Sequence, residues 1–349
     1  MTNRLRVVAA TPISEDLVAH VLSLEPRIDF VRDQTLLPSM RHPGDHAGDP
    51  AFTRTQEQQR AFEKLIDSAE ALYGVPDEKP SELARTAQTN PTLRWVHTMP
   101  AGGGAQVRSA QLSDRDLKRI AFSTSAGVHA EPLAEFALFG LLAGAKTLPT
   151  LQHNQKQKLW PGRWTMPLIR EQTILIIGLG SIGKATALKL KALGATVIGT
   201  SRRTDPVAGV DELVHPKDLA RAVSRADGIV VTLPGTTTTE GLVSRSLLDR
   251  VKQGSTFVNV GRGTVVDEQA LTEAIENGRI AYAALDVFAH EPLSPNSPLW
   301  SSPRVLISPH TAALNPAEDR LIAELFAQNA GRLLDGKELI NRVNTVEFY

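Results

Sequence analysis

The feature that most constrains the fold is a regular alternation of short apolar segments with helical segments in the second half of the sequence. The apolar segments lie at 173–178, 196–201, 228–233, 256–260, 282–287 and 304–309. Strands that are apolar along their whole length are buried on both faces, as in a parallel sheet that helices cover on each side. The second half is therefore predicted to form a doubly wound α/β domain.

A glycine-rich motif indicates that this domain binds a dinucleotide. The sequence GLGSIG (178–183) directly follows an apolar strand and directly precedes a helical segment. In this context Gly178 permits a tight turn, Gly180 lets the backbone approach a pyrophosphate, and Gly183 lets helix and strand pack closely. The free N–H groups at the start of the helix then bind phosphate. The motif predicts a Rossmann-type parallel sheet.

The end of the second strand indicates which dinucleotide binds. The residue that contacts the adenosine ribose is expected about 20 residues beyond the first glycine, where the chain has Ser201, Arg202 and Arg203. A carboxylate there would accept from the ribose 2′-OH, whereas a guanidinium suits the oxygens of a 2′-phosphate. The nearest acidic residue, Asp205, lies further into the loop. NADP(H) is thus the preferred cofactor, and NAD(H) is the alternative if both arginines are merely solvated.

The first part of the sequence is predicted to form a smaller α/β domain. A chain of 349 residues is too long for one ordinary core. Short strand-like segments at 7–10, 71–75 and 119–128, and a strand running into a glycine-rich loop at 93–105, alternate with helical stretches. The final helix, near 316–334, lies beyond the large sheet and is expected to return to this domain. The predicted boundaries are 1–127 completed by 314–349 for the smaller domain, and 128–313 for the NAD(P)-binding domain.

The segment 37–60 has no clear role in the sequence. Its first part, 37–49, is predicted to be a loop from its Pro, Gly and Asp content. His42 and His46 stand four residues apart, but Pro43 and Gly44 oppose the helix that would align them as metal ligands. A solvated loop is the favoured interpretation, and no metal site is predicted.

Composition excludes several classes of function. Lys and Arg together number 38, as do Asp and Glu, so no global field attracts nucleic acid or an acidic membrane. The absence of cysteine excludes disulfides, thiolate metal sites and cysteine nucleophiles, and fits a reducing cytoplasm. The N-terminus has no long apolar core typical of a secretory signal. The apolar stretch 133–148 is short for a membrane span and contains Glu135, which favours a buried core helix.

Polar residues follow the late strands, at the edge of a parallel sheet where ligands bind. Arg262, Asp286, Glu291 and His310 all come at or just after predicted strand ends. Arg262 can bind a substrate carboxylate and polarise its carbonyl. His310 can give a proton to a carbonyl oxygen or take one from an alcohol, and Glu291 would favour the imidazolium and fix its tautomer.

Taken together, these motifs resemble the D-isomer-specific 2-hydroxyacid dehydrogenase family, and especially its glyoxylate and hydroxypyruvate reductases. The resemblance runs from about residue 93 to the C-terminus and rests on AGGGA, AGVHAEPLAE, GLGSIG, NVGRGTVVDEQAL, ALDVFAHEPL and SPHTAA. It implies that Arg262, Glu291 and His310 are the catalytic set, and that Asp286 contacts the nicotinamide carboxamide. It implies as well that the smaller domain is flavodoxin-like and that two domains close on the substrate. A homodimer built on the nucleotide-binding domains is also expected, with 133–148 part of its interface.

The resemblance gives a full set of expected contacts. Substrate contacts are expected from Ala101, Gly102, Gly103, Arg262 and His310. Cofactor contacts are expected from Gly178, Gly180, Ser181, Ile182, Gly183, Ser201, Arg202, Arg203, Leu233, Pro234, Val260, Gly261, Asp286 and His310. The family loop often reads Ala-Gly-x-Asp, whereas this chain has Gly104 in place of the Asp. The sequence therefore does not determine the contacts that this loop makes with the substrate.

Three functions follow in order of preference. The leading hypothesis is NADPH-dependent reduction of a small 2-keto acid, such as glyoxylate, hydroxypyruvate or an aromatic pyruvate, to the D-2-hydroxy acid. The first alternative is an NAD-linked dehydrogenase that works oxidatively with the same site. The second is a dinucleotide-sensing binding protein without turnover. The sequence does not identify which 2-keto acid binds. It also does not determine whether Trp160 or Trp164 reaches the active site.

Overall fold

The computed structural model describes residues 4–348, which divide into two compact units. One unit combines residues 4–129 with 314–348, and the other is continuous from Ala130 to Ala313. The strands, in chain order, are β1 (Leu5–Ala9), β2 (Ile28–Val31), β3 (Ala71–Tyr73), β4 (Trp95–Thr98), β5 (Ala121–Thr124), β6 (Thr173–Ile177), β7 (Thr196–Thr200), β8 (Glu212–Val214), β9 (Gly228–Val231), β10 (Ser255–Asn259), β11 (Ile280–Leu285) and β12 (Val305–Ile307).

The α-helices divide between the units in the same chain order. They are α1 (Glu15–Leu24), α2 (Gln56–Ile66), α3 (Pro80–Thr89), α4 (Gly104–Ser109), α5 (Asp114–Arg119), α6 (Ala130–Ala145), α7 (Leu148–Lys156), α8 (Ser181–Ala192), α9 (Leu219–Val223), α10 (Arg245–Leu248), α11 (Glu268–Glu276) and α12 (Glu318–Leu334). Among residues 4–348, no helix has the length and apolar character needed to cross a bilayer.

The first unit is built on a five-stranded parallel sheet in the order β2-β1-β3-β4-β5. This is the flavodoxin-like strand order, in agreement with the flavodoxin-like smaller domain that the family resemblance implies. Helix α12 returns from the far end of the chain and packs on α1. It inserts Phe326 into the core, where its ring stacks on Trp95 at a centroid distance of 4.5 Å and meets Tyr73 edge-on at 5.1 Å. The core of this unit is therefore completed by residues from both ends of the chain.

The second unit is built on a seven-stranded parallel sheet in the order β12-β11-β10-β9-β6-β7-β8. The central strand β6 pairs with β7 on one side and with β9 on the other, so the chain reverses direction across the sheet at this point. Buried apolar side chains of the strands form separate cores on the two faces. The predicted Rossmann-type sheet is confirmed, and ligands bind such sheets at the carboxyl ends of the strands beside the reversal.

The apolar stretch 133–148 lies mainly in α6, which covers the second sheet as a core helix. A Cβ at Gly140 would lie 2.7 Å from the Cβ of Ala284 on β11, so the helix backbone sits very close to the sheet. The helix ends before Leu148 because Thr147 adopts a left-handed conformation, with φ of 51°, and α7 begins at the next residue. The sequence thus predicts the burial of this helix correctly but extends it past its end.

Candidate active site

The GLGSIG motif forms the turn between β6 and α8. Gly178 has a φ of 108°, which favours glycine, and its N–H donates to Thr200 Oγ1 at 2.9 Å. A Cβ at Gly183 would lie 2.0 Å from the carbonyl oxygen of Gly178, so only glycine permits this approach of helix to strand. A Cβ at Gly180, in contrast, would meet no protein atom within 4 Å. The backbone is therefore open at the position that the motif assigns to a pyrophosphate.

The start of α8 completes this phosphate-binding geometry. Gly180 is the N-cap, and no side chain caps the helix. Ser181 is exposed and Ile182 is half-buried, so both lie at the accessible first turn. The N–H groups of a first helical turn have no intrahelical partner, and they carry the positive end of the helix dipole. A phosphate group fits here without any rearrangement of a cap.

The end of β7 presents the two arginines to solvent. Ser201 Oγ accepts the backbone N–H of Arg203 at 2.9 Å, which shapes the turn after the strand. Arg202 and Arg203 are both exposed. Within residues 4–348 neither guanidinium forms an ion pair or a side-chain hydrogen bond, and Asp205 does not engage them. Both arginines are free to bind an anion.

The loops after β9 and β10 lie against each other at the same edge of the sheet. Thr232 Oγ1 donates to the carbonyl of Gly178 at 2.7 Å and joins the β9 loop to the glycine turn. A Cβ at Gly261 would lie 2.6 Å from the carbonyl oxygen of Leu233, so these loops touch through their backbones. Val260 is buried beneath them, and Pro234 is exposed. The predicted cofactor residues on these loops thus form one continuous edge.

Arg262 follows β10 and is exposed. Its Nη1 donates to the carbonyl of Gly261 at 2.8 Å, and its own carbonyl accepts from Asn259 Nδ2 at 3.2 Å. Asn259 also accepts the N–H of Gly261 at 3.0 Å, so one side chain fixes the backbone on both sides of the turn. Most of the guanidinium donors of Arg262 remain available to a ligand.

His310 and Glu291 form a hydrogen-bonded pair. His310 Nδ1 lies 2.7 Å from Glu291 Oε2, and Glu291 Oε1 accepts the N–H of Phe288 at 3.0 Å. Burial alone would raise the pKa of Glu291, but the bonds from His310 and Phe288 and the nearby charge of Arg262 outweigh burial and lower the pKa. The carboxylate therefore stays ionised near neutral pH. With Nδ1 held by Glu291, His310 keeps Nε2 for proton transfer.

Asp286 is buried, with 1% of its surface exposed, and organises the loop that carries His310. Its Oδ1 accepts from Ser308 Oγ at 2.6 Å and from the N–H groups of Thr311 and Ala312, each at 3.0 Å. Its backbone carbonyl accepts the N–H of His310 at 3.0 Å. His310 itself has a φ of 54°, an uncommon conformation for a residue other than glycine. Asp286 is thus the acceptor that holds this strained turn in place.

The predicted substrate loop lies in the first unit, after β4. Ala101 and Gly102 are exposed, whereas Gly103 is buried, and a Cβ at Gly103 would lie 1.7 Å from Thr98 Oγ1. The N–H of Gly103 donates to the carbonyl of Pro100 at 3.1 Å. Ala101 and Gly102 are therefore the members of this loop whose N–H groups remain available for a substrate carboxylate.

Of the two histidines in the 37–49 loop, His46 is not solvated. Its side chain is 11% exposed, and its Nε2 lies 3.8 Å from Glu318 Oε1. The same oxygen lies 2.9 Å from His129 Nε2, the last residue of the first unit before the chain enters the second. His42 is exposed, and its Nδ1 lies 2.9 Å from the carbonyl oxygen of Pro43. Over the described part of the chain, no His, Asp and Glu cluster has the arrangement of a metal site.

Comparison with known families accounts for this geometry. The sequence profile described as the NAD binding domain of D-isomer specific 2-hydroxyacid dehydrogenase matches residues 138–312, which is half of the chain. The chain belongs to the D-isomer specific 2-hydroxyacid dehydrogenase family. Members of the family named among the relatives are oxidoreductases that act on CH–OH groups with NAD(P).

Several relatives in this dehydrogenase family bear names that state an activity, among them two reductases. Glyoxylate/hydroxypyruvate reductase A of Yersinia enterocolitica is 34% identical over 207 residues, which are 57% of this chain and 64% of that protein. Glyoxylate reductase of Thermofilum pendens is 30% identical over 261 residues, or 73% of this chain and 76% of that protein. The chain thus matches just under two thirds of the length of the Yersinia enzyme.

A solved structure of the family matches the whole chain. The D-isomer specific 2-hydroxyacid dehydrogenase from Xanthobacter autotrophicus Py2, in complex with NADPH and MES, superposes with a TM-score of 0.78. It is 28% identical, and the match covers 99% of this chain and 100% of that chain. The flavodoxin-like and Rossmann-type sheets therefore recur together in a relative that binds NADPH.

Sequence reasoning missed three polar side chains that support the family site. Asn259 fixes the Arg262 turn, Ser308 donates to Asp286, and Glu268 accepts the N–H of Ala289 at 2.9 Å. Each lies within a motif that the sequence singles out, but none follows a strand as an exposed polar residue. Their roles depend on partners that are distant in sequence, so only the folded chain identifies them.

Proposed function

We propose that this chain reduces a small 2-keto acid to the D-2-hydroxy acid with NADPH. The observation that carries the proposal is the 2.7 Å pair of His310 and Glu291. It lies on the same edge of the second sheet as the glycine turn of the dinucleotide motif. A histidine paired to a carboxylate that is ionised near neutral pH is suited to general acid–base catalysis, which contributes about 10²–10⁴ in rate.

The proposed mechanism assigns one role to each polar group. When bound, NADPH supplies the hydride to the keto carbon. His310 gives the proton on Nε2 to the keto oxygen, and Glu291 stabilises the imidazolium from the Nδ1 side before transfer. Arg262 binds the substrate carboxylate and polarises the carbonyl. The exposed loop of the first unit that carries Ala101 and Gly102 is assigned to substrate binding, which makes this unit the substrate-binding domain.

Preference for NADP(H) over NAD(H) is proposed from the end of β7. Arg202 and Arg203 are exposed and form no ion pair in the described structure, and the first acidic side chain beyond them is Asp205. A guanidinium stabilises a 2′-phosphate, whereas a 2′-OH offers it little. The NADPH complex of the Xanthobacter relative supports this choice. Asp286, whose Oδ2 accepts no bond among the described residues, is proposed to accept from the nicotinamide carboxamide.

A homodimer through the nucleotide-binding units is proposed from exposed apolar side chains on α6, α7 and the segment that follows. Monomeric proteins rarely expose so many large apolar groups on successive elements. The exposed residues are Phe139, Leu151, Leu159, Trp160, Trp164 and Leu168. Trp160 is 99% exposed, whereas the indole N–H of Trp164 donates to Thr147 Oγ1 at 3.2 Å.

The test is the oxidation of NADPH and NADH by purified protein with glyoxylate, hydroxypyruvate, pyruvate, phenylpyruvate and branched-chain 2-keto acids. Turnover with NADPH well above that with NADH supports the proposal, and the order of the acids identifies the substrate. Turnover of D-2-hydroxy acids with NAD⁺ alone would favour the oxidative dehydrogenase. Tight dinucleotide binding without turnover of any acid would favour a sensing protein instead.

A further inference from the structure

The short segment between Asp286 and Glu291 has two consecutive backbone N–H groups that donate to carboxylates. Phe288 N–H donates to Glu291 Oε1 at 3.0 Å, and Ala289 N–H donates to Glu268 Oε2 at 2.9 Å. The first bond orients the carboxylate that pairs with His310. The acceptor of the second bond, Glu268, has no part in the proposed proton transfer.

The side chain of Glu268 is positioned to accept the N–H of Ala289. It occupies the first turn of α11, but the cap of that helix is Asp267, whose side chain accepts the N–H of Ala270 at 3.0 Å. The carboxylate of Glu268 is therefore not needed for capping. It is half-buried and reaches Ala289, which lies 21 residues further along the chain.

The peptide between Phe288 and Ala289 is also in close contact with the backbone at Gly263. A Cβ at Gly263 would lie 1.9 Å from the carbonyl carbon of Phe288 and 2.4 Å from the nitrogen of Ala289. The backbone that follows Arg262 thus lies directly against the 288–289 peptide. Contact with Gly263 limits where this peptide can move, and the bond to Glu268 sets how it is rotated.

We propose that Glu268 is a positioning residue for the acid–base pair, an inference that rests on the function proposed above. By fixing the 288–289 peptide, Glu268 restricts the rotation of the adjoining 287–288 peptide, whose N–H on Phe288 donates to Glu291 Oε1. This leaves Oε2 directed at His310 Nδ1, where it stabilises the protonated ring. The effect depends on a hydrogen-bond acceptor at this position, and it does not require negative charge.

The kinetic test compares Glu268→Ala, Glu268→Gln and the neighbouring control Gln269→Ala. Gln269 is exposed in the same helical turn, and its side chain donates to Glu273. In Glu268→Ala we expect kcat for keto-acid reduction to fall by up to about 100-fold because the pair is misplaced, while the NADPH KM stays unchanged. The loss of activity with rising pH should begin at lower pH, since the protonated acid is less stabilised. Glu268→Gln retains an acceptor oxygen and should behave like the unmodified enzyme.

A double-variant cycle with Glu291→Gln tests whether Glu268 acts through Glu291. If it does, adding Glu268→Ala to Glu291→Gln should produce little further loss, because coupled residues are non-additive. Full additivity, an unmoved pH profile in Glu268→Ala, or equal losses in Glu268→Ala and Glu268→Gln would each overturn the inference.

A spectroscopic readout separates this inference from the proposed function. The proton between His310 Nδ1 and Glu291 should give a hydrogen-bonded NMR resonance in the unmodified protein and in Gln269→Ala, assigned by its loss in Glu291→Gln. Broadening or loss of this resonance in Glu268→Ala supports the positioning role even if no keto acid is turned over. An unchanged resonance in Glu268→Ala refutes the role whether or not the enzyme is active.

Discussion

Asp286 accepts the backbone N–H of His310, and its buried carboxylate holds the loop immediately after His310. The His310 N–H donates to the Asp286 carbonyl at 3.0 Å, and Asp286 Oδ1 accepts from the two residues after His310. The left-handed conformation of His310 is therefore maintained by its neighbour at the end of β11. A strained residue persists where the surrounding bonds overdetermine it, and such residues concentrate at active sites.

Replacing Asp286 with Ala should destabilise the second unit. The variant leaves Ser308 Oγ and two backbone N–H groups without their acceptor, at a cost of about 1–3 kcal/mol for each buried unsatisfied group. We expect the free energy of unfolding to fall by about 3 kcal/mol, as measured in urea. Asp249→Ala, at an exposed helix end, is the control. Equal stability of the two variants would show that the bonds to Asp286 contribute little.

Replacing His310 with Gln should abolish reduction and leave dinucleotide binding intact. The expected loss in kcat is about 10²–10⁴, since Gln cannot donate a proton to the keto oxygen. Binding is followed by NADPH fluorescence, with Glu291→Gln measured in parallel. We expect a smaller loss in Glu291→Gln, because the imidazole remains but its protonated form is less stabilised. Retention of most activity in His310→Gln would place the general acid elsewhere.

Replacing both Arg202 and Arg203 with Ala should raise the NADPH KM and barely change the NADH KM. A hydrogen bond to a charged group contributes about 1.5–3 kcal/mol, which corresponds to roughly 10- to 100-fold for each arginine that binds phosphate. Arg250→Ala removes an exposed arginine that has no ion pair in the described structure and serves as the control for net charge. Equal losses with both cofactors would contradict the phosphate assignment.

Replacing Glu318 with Gln should reduce stability at neutral pH but not in acid. Burial would raise the pKa of Glu318, yet the hydrogen bond from His129 and the charges of His129 and His46 outweigh burial and lower it from 4.5 to about 2. The ionised carboxylate therefore stabilises the folded state above pH 4.5, and this contribution is lost as pH falls toward about 2.

A pKa lowered from 4.5 to about 2 corresponds to about 3 kcal/mol in favour of the ionised carboxylate, so Glu318→Gln should be less stable by up to about that amount above pH 4.5. Thermal unfolding measured across the acid range should show that the difference in Tm between Glu318→Gln and the unmodified protein shrinks as pH falls. Glu338→Gln, at an exposed position, should show no such change. A constant difference between Glu318→Gln and the unmodified protein at all pH values would rule out ionisation as its cause.

Replacing Phe139 with Lys should dissociate the proposed homodimer. Phe139 is 48% exposed on α6, and a buried unpaired charge at an apolar interface is strongly unfavourable. Sedimentation velocity should show dimers for the unmodified protein and monomers for the variant. Leu24→Lys changes a residue 51% exposed on α1 of the other unit and should leave the dimer intact. An unmodified protein that sediments as a monomer would refute the dimer itself.

The sequence predicts most strands of both sheets but not the edge strands β2 and β8. Short length and an edge position do not explain this by themselves, because β12 is also a short edge strand and its apolar run is predicted. Glu212 on β8 is exposed, and Leu213 and Val214 are only half-buried, so an alternating or apolar pattern is lacking. Such strands form because a neighbouring strand offers free N–H and C=O groups, and their own sequence does not specify them.

The candidate site is predicted where its residues follow strands, because the carboxyl ends of parallel strands meet at one edge. The sequence therefore predicts that Glu291 and His310 lie close together, and the structure places Glu291 Oε2 2.7 Å from His310 Nδ1. It cannot identify that Asp286 accepts three bonds at one oxygen, or that Glu268 reaches Ala289. These contacts depend on side-chain directions and on loop conformations, neither of which local sequence patterns specify.

The division of the first unit between the two ends of the chain affects how the protein folds during synthesis. Helix α12, which brings Phe326 to Trp95, leaves the ribosome only after all of residues 130–313. Domains fold as units during translation, so the continuous second unit can fold while the five-stranded sheet still lacks its closing helix. The emerging first unit then exposes apolar surface for the time needed to translate the second. We expect molecular chaperones to bind the nascent chain during this interval, and truncation before α12 to yield insoluble protein.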